Sequence, residues 1–368
     1  MVYYEVLLHS DKEFQGCDDL IGKQIAEKGL LLGLGNPLLD ISACTDHSFL
    51  EKYGMKENDA ILAEEKHIPM YKEMAENYKV EYTAGGACQN TMRVAQWFLN
   101  EQNIFAFMGC IGKDKFGEIL ESKAKEAGVL VSYQYHDTLP TGTCAVAITD
   151  QGKNRSLCAY LSAANCFSRD HLDKSINQTL INEAKHFYIT SFFLTVSPPS
   201  IMQVAEHACE NNKTFIMNLS APFLCQFFKE PMMQAMPYVD ILFGNEQEAA
   251  IFAKEQELGT ENVEEIALRI SDLPKKNKLV PRIVVITQGQ DPIVLATEGK
   301  ITKYPAIYVK PEEIVDTNGA GDAFVGGFLA QYVQEKSIDI CIKSGIYAAT
   351  EVIKQSGCTL PEQPQFTW

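Results

Sequence analysis

Residues 314–332, IVDTNGAGDAFVGGFLAQY, decide how the rest of the chain is read. They join a β-like run to a helix through a glycine turn that ends in a carboxylate. Gly319 and Gly321 lack a Cβ, so the backbone can turn sharply there and bring its N–H groups close to a ligand. Beyond the turn, Phe324, Phe328 and Tyr332 recur every fourth residue and mark one apolar face of a helix. The N–H donors of that helix's first turn then point back at the glycines and, with the positive end of the helix dipole, form an anion cradle. Asp322 falls in the same turn. A carboxylate there favours the dipole but repels a phosphate unless an acceptor hydroxyl lies between them. Taken alone, the four residues GAGD are better explained by an ordinary turn, with Asp322 compensating the dipole, because short glycine motifs discriminate poorly.

Composition narrows the classes. A chain of 368 residues is long enough for about two domains, or for one large α/β unit carrying a smaller insertion. With 46% hydrophobic and 22% charged residues it reads as a soluble globular protein rather than a disordered one. The net charge of −16 argues against a nucleic-acid-binding or anionic membrane surface, whose attraction depends on basic patches. Eleven cysteines, an odd number with no CxxC pair, fit neither a disulfide framework nor a zinc site and point to a reducing, cytoplasmic setting. The start, MVYYEVLLHSDKEF, has no basic region, and Glu5 interrupts its apolar run, so it does not read as a secretory signal. The most apolar window, residues 29–41, is too short for a bilayer and contains Asp40.

Along the chain, residues 1–29 read as a peripheral extension with a short helix at 18–27. Residues 30–34 suit a buried strand, and Pro37 in the following GNPLLDIS ends it. Asn36 and Asp40 thus fall near a strand terminus, where open α/β sheets bind ligands, or serve as turn residues. Residues 60–63 predict a strand and 67–78 a charged surface helix. VEYTAGGACQNTMRVAQWFLN repeats the strand, glycine, helix pattern, with Gly85 and Gly86 at the join and Asn90 one turn into the helix. The amide of Asn90 can both donate to and accept from a diol, whereas the glycines equally allow close strand–helix packing. A strand at 104–110 and a helix at 116–127 follow.

Between residues 131 and 161 the runs VSYQYH, TCAVAIT and SLCAYL predict a small antiparallel sheet, which with the segment after Pro37 makes a lid. Arg155, in the turn QGKNRS, is either a solvated turn arginine or a guanidinium that a mobile element delivers to a phosphoryl group. After Lys185 strand and helix alternate through HFYITSFF, a helix at 199–211, TFIMNLS, a helical stretch to Met236, VDILFGN and RIVVITQGQD. This rhythm predicts a mainly parallel central sheet with helices on both faces. Asn245 and Glu248 make an NxxE pattern, which is a helix capping box or a holder of the water shell of Mg²⁺. The tail from Leu360 is expected over the sheet edge.

DTNGAGD matches six fixed positions of the signature DTxGAGD of the ribokinase family of sugar and nucleoside kinases, also called the PfkB family. GNPLLDIS, AGGACQN, GCIGKDKFG, NRSL, NLSAPF, FGNEQEA and TQG stand in the matching order from about Leu31 onward, so the chain resembles this family over most of its length. The resemblance implies a ribokinase-like α/β fold, with residues 1–37, 85–138 and 165–368 as the large nucleotide-binding domain and 38–84 and 139–164 as the lid. It implies transfer of the ATP γ-phosphoryl group to the 5′-hydroxyl of adenosine, with Mg²⁺, in some members an effect of K⁺, and a monomeric enzyme. Asp322 would accept the hydroxyl proton, ionised near the ordinary aspartate pKa of about 3.9. Gly319, Ala320 and Gly321 would form the anion hole, and Arg155 would join from the lid. Asn36, Asp40, Gly86 and Asn90 match ribose-binding positions, and Leu38, Leu62, Leu157, Leu161, Phe193 and Phe223 the apolar surround of the purine. Thr287, Gly289 and Asn318 match ATP contacts, and Asn245 with Glu248 the Mg²⁺-organising motif. Three positions depart from the family pattern, Ala60, Ala87 and Ile346, which bears on nucleoside selectivity and nucleotide affinity. A kinase of broader nucleoside or sugar range, or a catalytically silent nucleoside-binding protein, are the alternatives.

Overall fold

A computed structural model describes residues 28–57, 60–99, 101–150 and 154–367. The helix expected at 18–27 lies outside the described residues. The central element is a nine-stranded sheet. Its spatial order runs Lys300–Tyr304, Asp291–Thr297, Ile283–Gln288, Ile241–Asn245, Thr214–Asn218, His186–Thr190, Leu31–Leu34, Phe105–Met108 and Leu130–Val131. The pairings are parallel apart from those that join the first three strands of that order. Leu31–Leu34 is buried along its whole length, as a strand covered on both faces must be, and so reads as an unbroken apolar run.

Alternate residues of the sheet feed two separate cores. Leu31, Ile216, Ile241 and Phe243 pack with Phe324, Phe328 and Ile342, from the helices Ala320–Tyr332 and Ile338–Val352. Leu32, Phe187, Phe215 and Leu242 pack on the other face with Val204, Phe252 and Ile266, from the helices Pro198–Glu210, Glu246–Glu255 and Val263–Ser271. The fourfold spacing of aromatics after the glycine turn has its cause here: Phe324 and Phe328 both stand edge-on to Phe243, with ring centroids 6.3 and 5.1 Å away.

A second sheet of five strands runs in the order Ala60–Leu62, Asn154–Tyr160, Thr143–Thr149, Leu38–Cys44 and Glu81–Gly85. It is mixed rather than antiparallel, because Leu38–Cys44 and Thr143–Thr149 both enter it in the same direction and pair in parallel. The run VSYQYH does not join it. Val131 lies at the edge of the large sheet, and Gln134–His136 pairs with Cys110–Gly112. Register puts Leu38, Asp40, Leu62, Arg155 and Leu157 on one face of the small sheet, since paired residues share a face and successive residues alternate. The opposite face, with Leu39, Ile41, Ala145, Ala147 and Cys158, is buried and packs on Met70, Tyr71 and Met74 of the helix Ile68–Asn77.

Two further expectations are corrected. Residues 314–315, the β-like run before the glycine turn, form no strand: the N–H groups of Val315 and Asp316 both donate to Ile353 O, and both apolar side chains are exposed. The tail after Leu360 packs on helices rather than over a sheet edge. Trp97 donates to Pro361 O at 2.9 Å, and the Phe366 ring meets Phe98 and Tyr347. Among the described residues no helix is long and apolar enough to cross a membrane.

Candidate active site

The glycine pair settles how the two sheets meet. Gly86 has φ +92°, and a Cβ there would stand 2.1 Å from Asn36 O. A Cβ on Gly85 would lie 2.4 Å from the Asp40 carboxylate. Only glycine fits at 86, and at 85 a side chain would displace the Asp40 carboxylate, so the last strand of the small sheet can run against the link between Leu34 and Leu38. Asp40 is therefore a strand residue, not a turn residue. Asn36 donates to Ala164 O and Asn165 Oδ1 at 3.4 and 3.3 Å, while its own Oδ1 is buried with no partner. An orphaned buried acceptor of this kind suits a ligand hydroxyl.

The helix Ala320–Tyr332 begins at Gly319 with φ +79° and no side-chain cap, as an anion cradle requires. A Cβ on Gly321 would meet nothing within 4 Å, so the turn faces open space. Of the cradle donors, the N–H of Ala320 reaches Thr317 O at 3.3 Å. Asp322 accepts from Asn90 Nδ2 at 3.1 Å, a contact between residues 232 positions apart. Burial raises the Asp322 pKa to about 7, Asn90 opposes the rise, and the Asp40 and Glu248 carboxylates add to it. The ordinary value near 3.9 expected from sequence is thus corrected. Asp40 is likewise pushed to about 7 by burial, against the lowering fields of Arg93 and Arg155.

Arg155 is not in a solvated turn. It lies on the strand Asn154–Tyr160, buried, with Nε 3.0 Å from Asp316 Oδ2 and Nη1 donating to Ser356 Oγ. Asp316 also accepts from the N–H of Gly357 at 3.0 Å and, on Oδ1, from the N–H and side-chain amide of Asn318, both at 2.9 Å. A strand of the small sheet is tied in this way to the approach of the glycine turn.

Asn245 and Glu248 form the complete capping box. Asn245 Oδ1 accepts from Glu248 N at 2.8 Å, Glu248 Oε2 accepts from Asn245 N at 2.9 Å, and Asn245 Nδ2 donates to Glu248 Oε1 at 2.9 Å. Each carboxylate oxygen keeps a second lone pair. Burial raises the pKa of Glu248, and Asp322 feels its charge. An oxygen-rich, over-negative donor set fits a hard divalent cation held through water, so the residues present suit Mg²⁺. Thr287 pairs in register with Asn245 at the same edge of the sheet, and Gly289 beyond it has φ +59° with open space around it.

The apolar set divides. Leu38, Leu157 and Leu161 are half-buried, whereas Leu62 is 65% and Phe223 43% exposed. Phe193 is fully buried and edge-on to Phe167 at 5.3 Å, so in this conformation it presents no surface to a ligand. Its neighbour Phe192 instead lies 6.2 Å from the Phe223 ring. Sequence reasoning missed Asp316, although the signature contains it, and Arg93, whose spacing of three from Asn90 on one helix was the available signal.

The pfkB family carbohydrate kinase pattern matches residues 47–365. The chain is 56% identical to adenosine kinase 2 of Arabidopsis thaliana over 338 residues, 92% of this chain and 97% of that protein. It is 47% identical to the adenosine kinase of Schizosaccharomyces pombe, over 90% of this chain and 96% of that one. Anopheles gambiae adenosine kinase, solved in complex with P1,P4-di(adenosine-5) tetraphosphate, superposes with a TM-score of 0.83 at 52% identity, covering 92% of this chain and 99% of that chain. Adenosine kinase from Schistosoma mansoni, solved with adenosine and AMP, gives 0.81 at 33% identity over 92% and 99%. The chain belongs to the pfkB family of carbohydrate kinases.

Proposed function

We propose that this protein is an ATP:adenosine 5′-phosphotransferase, an adenosine kinase that makes AMP and ADP for purine salvage. The observation that carries this reading is Asp322, set in the first turn of an uncapped helix and held by Asn90 within the field of Asp40. The relatives named adenosine kinase, at 47 and 56% identity over nearly their whole length, support the choice of nucleoside over sugar.

Asn36, Asp40, Gly86 and Asn90 bind the ribose. A carboxylate that shares two hydroxyls replaces lost water with charge-assisted bonds, and the unpartnered Asn36 Oδ1 gains a donor. Leu38, Leu62, Leu157, Leu161 and Phe223 surround the purine, with Phe192 standing where the sequence suggests Phe193. Asp322 orients the 5′-hydroxyl and takes its proton as the bond to phosphorus forms. The turn at Gly319, Ala320 and Gly321 offers backbone donors to the transferring group. Thr287, Gly289 and Asn318 contact ATP. When bound with ATP, Mg²⁺ neutralises charge on the phosphates, and Asn245 and Glu248 would hold its water shell.

Residues 38–84 and 139–164 act as a lid over the remaining body, and Arg155 is the cation this lid brings to the phosphates. The enzyme works as a monomer in the cytoplasm, a setting consistent with ten free cysteines among the described residues. ATP consumption measured against a panel of nucleosides and sugars tests the reading. Adenosine should be consumed at least about tenfold more efficiently than ribose or other nucleosides, a pocket difference of about 1.4 kcal/mol. Equal turnover across the panel would replace it with a broad-range kinase.

A further inference from the structure

Arg93 has no part in the scheme above, yet it touches three pieces of the site. It lies on the helix Ala87–Leu99, and its Nη1 meets Ala84 O at 2.8 Å, Asn90 Oδ1 at 3.4 Å and Cys358 O at 3.3 Å. Ala84 belongs to the strand that ends at the glycine pair. Asn90 donates through Nδ2 to Asp322 Oδ2 at 3.1 Å. Cys358 lies against the glycine turn, where a Cβ on Gly319 would come within 3.2 Å of it.

An amide has an acceptor end and a donor end, and which end points where is set by its neighbours. Asn90 stands between a guanidinium and a carboxylate. Turned over, it would set its NH₂ against the cation and its oxygen against the anion, so the cation holds the amide in the one orientation that donates to Asp322. Asp322 Oδ2 is then engaged, and Oδ1 is left to receive the hydroxyl proton. We propose that Arg93 is a positioning residue for phosphoryl transfer, fixing the Asp322 carboxylate through the Asn90 amide while it ties the glycine pair to the turn at Gly319. This role rests on the kinase reading. It adds a cation, an amide and a carboxylate in series, of which only the last touches the reacting hydroxyl.

Arg93→Met removes the cation and its donors but keeps an unbranched stem, whereas Arg93→Lys keeps the charge. Both are assayed with ATP and adenosine beside wild type, alone and combined with Asn90→Ala. In the wild-type background Arg93→Met should lower kcat about tenfold to a hundredfold, up to the lower edge of general-base contributions because the carboxylate itself remains, and the lysine variant should recover most of it. In the Asn90→Ala background the same substitution should cost less than about threefold, because residues acting as one unit are not additive. Equal losses in the two backgrounds, or a lysine variant no better than methionine, would overturn the proposal in favour of a structural tie. The side-chain amide resonance of Asn90, assigned by its loss in Asn90→Ala, gives a readout that does not need turnover. It should shift on Arg93→Met far more than on Arg93→Lys, and an unmoved resonance would overturn the proposal whatever the activity. A wild type that phosphorylates no nucleoside would count against the kinase reading alone.

Discussion

Asp322 faces two opposing demands, since a proton acceptor must be ionised while burial and two nearby carboxylates favour its neutral form. Asp40 is also raised to about 7 by burial, so both carboxylates take up protons as the pH falls towards that value. The kcat/KM for adenosine, which reports the free enzyme, should therefore fall as pH drops below about 7, not below about 4. A pH–rate profile flat down to pH 5 would refute this. Stability runs the other way. A carboxyl whose folded pKa lies above its unfolded value binds more protons when folded, so stability is lost as pH rises from about 4 through 7. Asp322→Asn should therefore melt above wild type at pH 8, with the difference shrinking towards pH 5, at about 1.4 kcal/mol for each tenfold gain in the proton affinity of the folded carboxylate. In Asp322→Ala, adenosine binding by calorimetry should stay near normal while turnover drops by about 10² or more. Equal losses in both would mark a structural carboxylate.

At the scale of elements, Arg155 illustrates what a sequence can and cannot convey. Its residue type and its place in NRSL are visible, but its partner Asp316 is far away in the chain, and Arg155 reads as part of a turn although it lies on the strand Asn154–Tyr160. Strands of the large sheet are legible because burial on both faces makes them unbroken apolar runs; Leu31–Leu34 and residues 283–286 are two such runs. Residues 314–315 mislead for the same reason, being β-branched yet exposed. The Asn90 to Asp322 bond and the raised pKa values are illegible, because both depend on distances between segments. Burial sharpens the expectation for Arg155. Removing one partner of a buried pair leaves an uncompensated charge, so Arg155→Ala should cost about 3–5 kcal/mol of stability as well as turnover. Arg155→Lys should not restore turnover, because a point charge cannot bond Asp316 and Ser356 together as the planar fork does. Wild-type turnover in Arg155→Ala, read with its melting curve, would return the residue to a purely structural part.

For the whole molecule the question is what holds the small sheet against the large one. Part of the tie is already made by Arg155 and Asp316, and a triphosphate arriving at the turn would compete with Asp316 for that guanidinium. ATP alone therefore removes one contact as it adds another, and should leave the balance between open and closed nearly unchanged. Adenosine adds without subtracting. Leu38, Leu62 and Leu157 share the face of the small sheet that carries Asp40, while Phe223 belongs to a helix of the large body. A purine between them would bury the exposed surface of Leu62 and Phe223, at about 1.5 to 3 kcal/mol for a side chain fully covered. A gain of that size changes the ratio of closed to open about tenfold to a hundredfold. Hydrogen exchange should accordingly show the strands Thr143–Thr149 and Asn154–Tyr160 protected by adenosine and little changed by a non-hydrolysable ATP analogue. Full protection by the analogue alone, with nothing added by adenosine, would mean that the small sheet is a fixed part of the fold and that the nucleoside does not close it.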